Sequence, residues 1–347
     1  MTNNPIARLA VIGLGMATKP HLDALAELKG RVTVSGVYNR TRAKAEAVEQ
    51  AFGFPVFDSL DAIAADPNTD GVIIATPPNQ RAEIVSKMAA AGKHILMEKP
   101  IERTLKAAQD IVAECDAQGV LLGIVFQHRF RKAALRLREL IDKGALGELA
   151  LVRAEIPWWR DQDYYDVPGR GTLARDGGGV LISQAIHVLD LMLSLTGPAK
   201  TVQAFTATTR MHQMETEDFA VGGIQFASGA VGSAVATTAT YPGEEERLVL
   251  DGTLGTAVLK GGQLTVTWRD GRTETVGDVS GTGGGADPMA FPCDWHRDLI
   301  EDFATAIRDA GAPRISGREA LRVHALIDAL IRSGATGSMA EVGGSDG

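Results

Sequence analysis

The chain has 347 residues, enough for two domains, and its 45% hydrophobic and 22% charged content is that of an ordinary globular protein. The formal net charge of −8 argues against a nucleic-acid backbone as the main partner, because phosphates favour a basic surface. No apolar stretch is long enough to span a bilayer, and the polar start through Arg8 lacks a signal peptide's apolar core. Cys115 and Cys293 resemble neither a disulfide framework nor a zinc cluster, so the cytoplasm is the expected location.

Along the chain, strand and helix first alternate with short connections. Leu9–Ile12 reads as a strand, then a glycine turn and a helix to about Leu28. Val32–Tyr38 is a second strand, followed by a helix from about Thr41 to Phe52, a short segment at Pro55–Phe57 and a small helix at Leu60–Ala64. Further strands are expected at Gly71–Ala75, Ile95–Met97 and Val120–Phe126, with helices at Gln80–Ala91 and Leu105–Gln118 between them. Apolar strands in repeated βαβ units imply a doubly wound parallel sheet covered on both faces.

Beyond residue 126 the rhythm changes. A charged amphipathic helix at about Lys132–Lys143 precedes a strand at Leu149–Ile156, and an apolar helix follows a glycine run at about Gly178–Leu195. Strand patterns dominate Thr201–Trp268 without helices between them, which points to a largely antiparallel sheet. Val276–Ala290 is glycine-rich and reads as a mobile loop, two helices are expected at Asp294–Ala310 and Gly317–Ser333, and the small, polar tail reads as disordered. The expected organisation is an α/β fold: a doubly wound parallel-sheet domain over residues 1–126, an α+β domain over residues 127–334, and a disordered tail over residues 335–347.

Gly13-Leu14-Gly15-Met16-Ala17-Thr18 follows the first strand and opens the first helix. Gly13 and Gly15 permit a tight turn and close approach of a pyrophosphate to the helix start, where Met16 and Ala17 lie; Thr18 replaces the expected third small residue. The second strand ends in Asn39-Arg40, where an NAD site usually offers an acid. Asn39 can bond a ribose hydroxyl and Arg40 a 2′-phosphate, so the cofactor is read as NAD(P)(H) with NADP slightly favoured. Thr76-Pro77-Pro78 forces the chain out of the sheet as a rigid wall near the cofactor, since proline cannot continue a ladder. Glu98-Lys99-Pro100 ends an apolar strand and puts an ammonium group where a nicotinamide and a substrate can meet.

Together with Asp176-Gly177-Gly178-Gly179-Val180-Leu181 and its continuation through His187 to Leu191, these motifs resemble the Gfo/Idh/MocA family of glucose–fructose oxidoreductase, inositol dehydrogenase and rhizopine-catabolism proteins, over Leu9 to about Ser333. The resemblance implies a Rossmann domain, a C-terminal domain with an open sheet, NAD(P)-dependent hydride transfer on sugars or cyclitols, and homodimers or homotetramers packed through that sheet. It matches the family's active-site lysine to Lys99 and its catalytic histidine to His187, with Gln127 near the nicotinamide. Two departures stand out: Ser183 replaces an acid or Asn, and Arg81 replaces a His after the paired prolines; Asp190, one turn beyond His187, is left to orient it or to pair elsewhere.

His187 suits proton exchange near neutral pH, its unperturbed pKa being about 6.5, and Lys99 would polarise the reacting oxygen; burial of the lysine would exchange these roles. Ser183 and His187 are four apart and share a helix face, and Gly177–Gly179 let a substrate approach the helix start. Trp159, Arg160, Tyr165 and Arg170, with Ser183 and Gln184, are the substrate-reading candidates, because aromatic faces pack on sugar rings and arginines take a carboxylate or phosphate. His21, His94, His128, His212, His296 and His324 are expected to be structural or surface residues, and no metal site is expected. The competing readings are a dinucleotide-sensing regulator without chemistry and a reductase of a non-carbohydrate carbonyl or imine.

Overall fold

In the computed structural model, residues 7–278 and 292–343 are described. The chain forms one compact unit of residues 1–127 and 292–321 and another of residues 128–291 and 322–347.

The first unit is built on β1 (Ala7–Ile12), β2 (Val32–Tyr38), β3 (Gly71–Ile74), β4 (His94–Glu98) and β5 (Leu122–Val125), all parallel, in the order β2-β1-β3-β4-β5. Every residue of β3 and β5 is buried, as expected of strands covered on both faces. The order reverses at β1, so the turn after β1 and the loop after β3 flank the switch point at the carboxyl ends of the strands. Pro55–Phe57 contributes only a single bridge, Val37 to Val56, rather than a strand.

The helices here are α1 (Lys19–Glu27), α2 (Arg42–Phe52), α3 (Leu60–Ala65), α4 (Arg81–Ala90) and α5 (Leu105–Ala117). The hydroxyls of Ser59 and Thr104 cap α3 and α5 by accepting from the amides of Ala62 and Ala107, and left-handed Gly53 ends α2.

In the second unit, α6 (Lys132–Asp142), β6 (Leu149–Pro157) and the short α7 (Gln162–Asp166) lead to a π-helical turn, Leu181–Ala185, that runs into α8 (Ile186–Thr196). Strands β7 (Ala199–Ala207), β8 (Phe219–Phe226), β9 (Val231–Thr237), β10 (Arg247–Gly252), β11 (Gly255–Lys260), β12 (Gln263–Trp268) and β13 (Thr273–Val276) follow. With β6 and the final β14 (Ala340–Glu341) they form a nine-stranded sheet, antiparallel except where β6 pairs with β9. Helices α6 and α8 pack on this sheet. Alternate residues along β8 are buried, which leaves the other face of the sheet outward.

Three sequence expectations change. The segment 292–321, expected in the second domain, clusters with the first: α9 (Asp294–Arg308) packs on α1, β1, β4 and β5, with Phe303 against Gly123, and the Ile124 amide donates to the Ile315 carbonyl. The dividing line falls within α10 (Gly317–Thr336). The tail is ordered through Val342, because Ala340 and Glu341 pair with Val202 and Thr201 of β7 and the Val342 amide donates to the Lys200 carbonyl. Of the expected mobile loop, Val276 ends β13 and residues 279–291 lie outside the described residues.

Candidate active site

Gly13 takes a φ of +92°, and a Cβ there would lie 2.8 Å from the Thr76 methyl, so the turn after β1 is packed against the loop after β3. Gly15 differs: a Cβ on it would meet nothing within 4 Å, and it opens a 3-10 turn, Met16–Thr18, that runs into α1. Met16 is exposed and Ala17 half-buried at this helix start. Thr18 closes the turn by donating its hydroxyl to the Gly13 carbonyl at 3.0 Å, which explains why a third small residue is dispensable. The open space beside Gly15 at a helix start fits a pyrophosphate.

Asn39 does not stand free for a ribose. Its Oδ1 accepts from the Leu14 amide at 3.0 Å and its Nδ2 donates to the Thr41 carbonyl at 3.1 Å, so the side chain stitches the glycine turn to the end of β2. Arg40 is exposed beside it. Pro77 is extended and Pro78 begins a 3-10 turn into α4, so the loop leaves the sheet as the prolines require.

Three adjacent strands, β3, β4 and β5, lead into Thr76, Lys99 and Gln127 at their carboxyl ends. The Thr76 hydroxyl and the Gln127 side-chain oxygen are buried with no hydrogen-bond partner among the described residues. Such orphaned groups fit a bound ligand with polar edges, as a nicotinamide ribose and carboxamide have.

Lys99 is half-buried, and its amide donates to Glu98 Oε2 at 3.2 Å. The other carboxylate oxygen of Glu98 bonds His21 Nε2 at 2.8 Å, and the ring of His296 stands edge-on to His21 at 4.8 Å between centroids. His21, Glu98 and His296 are all buried, with donor atoms within 4.8 Å of one another. Burial opposes ionisation of Glu98, yet the His21 hydrogen bond, both imidazoles and the Lys99 ammonium hold its carboxyl below the ordinary range. Burial, then His21, push His296 down to about 3 against the pull of Glu98, so this ring is neutral. Nothing in the sequence pattern joins residue 296 to residue 98; α9's return to the first unit does.

In the second unit, His187 lies in the first turn of α8, buried, with its ring stacked on His128 at 4.8 Å and 25°. Arg131 Nη2 donates to His128 Nε2 at 2.5 Å, and Arg131 Nη1 donates to Glu246 at 2.6 Å. An arginine cannot accept, so His128 Nε2 is the acceptor in this contact. Asp190 is gripped by Arg129 through two hydrogen bonds of 2.7 Å, so it pairs with this arginine on the turn after β5. His128, Arg129 and Arg131 sit together in the sequence directly after β5, and that basic run is the signal that could have revealed them.

The glycine run before α8 serves the fold. A Cβ on Gly179 would lie 1.8 Å from the Glu217 carbonyl oxygen, so Glu217, not substrate, occupies that approach. The Glu217 carboxylate accepts from the Gly179 and Leu181 amides at 3.0 and 3.1 Å, and burial pushes its carboxyl up despite those bonds. The π-helical turn then displaces the α-helical phase, so Ser183, half-buried, and His187 are not related by a simple four-residue step on one α-helical face.

Tyr164 is the hub that the sequence left out of the substrate candidates. The guanidinium of Arg170 lies 4.0 Å and that of Arg160 5.7 Å from its ring centroid, and Gln184 Nε2 donates to its hydroxyl at 3.3 Å. Tyr165, expected to read substrate, is instead buried with its hydroxyl 2.6 Å from the Thr238 hydroxyl, because the edge-on pair of rings turns one tyrosine inward. Trp159 stands edge-on to Tyr241, and its indole nitrogen and the Gln184 side-chain oxygen are buried without a partner among the described residues.

The family model described as "Oxidoreductase family, NAD-binding Rossmann fold" matches residues 7–126, and "GFO/IDH/MocA C-terminal domain" matches residues 134–258. The WlbA dehydrogenase of Bordetella pertussis, solved with NADH and UDP-GlcNAcA, is 30% identical, with 97% of this chain and 99% of that chain covered at a TM-score of 0.82.

The chain belongs to the Gfo/Idh/MocA oxidoreductase family.

Levoglucosan dehydrogenase, solved with NADH and levoglucosan, is 25% identical over 97% of this chain and 100% of that one, with a TM-score of 0.85. The inositol 2-dehydrogenase of Rhizobium meliloti is 27% identical, with 94% of this chain and 96% of that protein covered. A match of 32% identity to an uncharacterised oxidoreductase of Schizosaccharomyces pombe spans 54% of this chain and 53% of that protein. As a member of this Gfo/Idh/MocA family the protein is an NAD-binding oxidoreductase with a Rossmann unit and a second, mostly antiparallel unit. Among the described residues, no helix is long and apolar enough to cross a membrane.

Proposed function

We propose that this oxidoreductase transfers a hydride between a nicotinamide dinucleotide and the secondary alcohol or ketone of a sugar, sugar derivative or cyclitol. The observation that carries the proposal is the row Thr76, Lys99 and Gln127 at the ends of β3, β4 and β5, with orphaned polar atoms on either side of the lysine strand. A relative solved with UDP-GlcNAcA and relatives named for levoglucosan and inositol support the substrate class.

The nicotinamide, when bound, supplies the hydride carrier. Gly13, Gly15, Met16 and Ala17 hold the pyrophosphate side, and Thr76, Pro77, Pro78 and Gln127 hold the nicotinamide side. The Lys99 ammonium donates to the reacting oxygen and stabilises the negative charge that develops there. His187 exchanges the hydroxyl proton, with its ring held by the His128 stack. Trp159, Arg160, Arg170, Ser183 and Gln184 read the substrate, with Tyr164 added to them and Tyr165 removed, and the two arginines extend the range to sugars bearing a carboxylate or phosphate. An exposed Arg40 and the lack of a carboxylate at Asn39 favour NADP(H). Cys115 and Cys293 are both free thiols, which fits a reducing cytoplasm.

The test is reduced-nicotinamide absorbance with NAD and NADP over a panel of polyols, aldoses, uronates and cyclitols. Lys99→Ala and His187→Ala should each lower turnover about a hundredfold or more while cofactor binding persists. Arg40→Ala should lower the NADP-to-NAD ratio of kcat/KM roughly tenfold, the value of one charge-assisted contact. Wild-type turnover in either alanine variant removes that residue from the chemistry, and cofactor binding without turnover on any substrate favours a sensor.

A further inference from the structure

Arg81 opens α4 immediately after the Thr76-Pro77-Pro78 loop, and it is 2% exposed. Its Nε and Nη2 donate to the Thr76 carbonyl at 2.9 and 2.7 Å. Its Nη1 donates to the carbonyls of Glu98 and Pro100. One buried guanidinium therefore closes on three carbonyls from the ends of two neighbouring strands, and the two on the β4 side flank Lys99. The lysine's own amide is held as well, by the carboxylate of Glu98, which His21 holds in turn.

A buried guanidinium is costly unless its donors are satisfied. Desolvation pushes Arg81 down from its ordinary range to about 10, with the Glu98 and Glu102 carboxylates opposing, so it remains a cation at neutral pH. The choice of residue is informative. An imidazole, expected here from the family resemblance, offers at most two N–H groups, and a lysine offers donors from a single point. The planar fork of arginine can reach both loops at once.

We propose that Arg81 is a positioning residue for Lys99, fixing the lysine main chain against the Thr76 loop so that lysine and cofactor-side loop keep one spacing. The proposal rests on the reading in which Lys99 acts on the reacting oxygen. A displacement of about 1 Å at a reacting group costs up to about a hundredfold in rate, so a clamp of this kind acts on turnover more than on binding.

The experiment uses the full chain with Arg81→Lys and Arg81→Met, each alone and in the Lys99→Ala background. Arg81→Met should lower kcat roughly a hundredfold and leave the Kd for NADH and NADPH within about twofold, with Arg81→Lys recovering part of the loss. In the Lys99→Ala background, Arg81→Lys should cost less than about twofold further, because the interaction it serves is already gone. An equal loss in both backgrounds, or an unchanged kcat in a folded variant, overturns the proposal. Should Arg81→Met fail to fold, Arg81→Lys retains the charge and carries the cycle. Amide exchange across residues 98–101 tests the clamp without reference to turnover: about tenfold faster exchange in Arg81→Lys is expected, and unchanged exchange overturns it. Wild-type turnover in Lys99→Ala would sink the catalytic reading of the lysine, and exchange would still decide whether Arg81 holds this segment.

Discussion

At the residue scale, the ionisable side chains behind Lys99 carry a consequence for stability. His296 is held neutral down to about 3, chiefly by burial and then by His21. In the unfolded chain it takes up a proton as pH falls through about 6.5. Between these values the unfolded state binds more protons, so this contribution is fully present above about 6.5 and is lost as pH falls. Lowering pH from 6.5 to 5 should remove about 2 kcal/mol through this one residue, at about 1.4 kcal/mol per pH unit. His296→Gln should flatten the pH dependence of the urea-unfolding free energy by that amount over the same interval. A slope identical to that of the parent would assign the titration to another group. The histidine pair also marks a limit of sequence reading at this scale. His21 and His296 are far apart in the chain, and no periodicity connects them; only the packing of α9 on α1 brings their rings to 4.8 Å.

At the scale of elements, α8 depends on a contact that its own sequence does not contain. Glu217 presses its carbonyl into the space a Gly179 side chain would need, and its carboxylate takes the Gly179 and Leu181 amides. Gly179→Ala should therefore destabilise the protein by about 3 kcal/mol through overpacking. A thermal melt within about 1 °C of the parent would show that the Glu217 segment yields without cost. The glycine run was visible in the sequence; what it accommodates was not, since glycine permits close approach without naming the neighbour. Strands behaved otherwise. β1, β2, β3, β4 and β5 were legible because apolar runs ended in Gly13, Asn39, Thr76, Lys99 and Gln127, residues with a turn or a polar group to offer. The π-helical turn before α8 was not, because Leu181–Ala185 carries the same apolar pattern as an ordinary helix. Tyr164 and Tyr165 were indistinguishable as neighbours, and the short α7 decided which one faces Arg170.

For the whole molecule, the outward face of the nine-stranded sheet is the feature with the widest reach. Phe205, Val231 and Leu151 are 60%, 49% and 39% exposed. The ladder Phe205–Val221–Val235 and the pairing of Val231 with Leu151 put them on one face. We propose that a second copy of this chain covers that face, giving a homodimer or homotetramer. Light scattering on the parent should read a multiple of the chain mass, and Phe205→Glu should shift it toward the monomer by burying a charge against apolar partners. A monomeric parent would overturn this assembly. The resemblance seen in the sequence implied both the sheet and its use, while the register that aligns these side chains could be read only from the folded strands.

The return of α9 to the first unit bears on the order in which the protein can be made. The β5 edge takes its Ile315 partner, and Phe303 covers Gly123, from segments that follow the whole nine-stranded sheet except β14. During synthesis the cofactor-binding unit starts before that sheet and is completed only after all of its strands except β14 have been made. Until residues 292–321 leave the ribosome, β5 lacks the Ile315 bond and β1, β4 and β5 lack the helix that packs on them. His21 and Glu98, behind Lys99, wait for His296 until the sheet strands through β13 have been made.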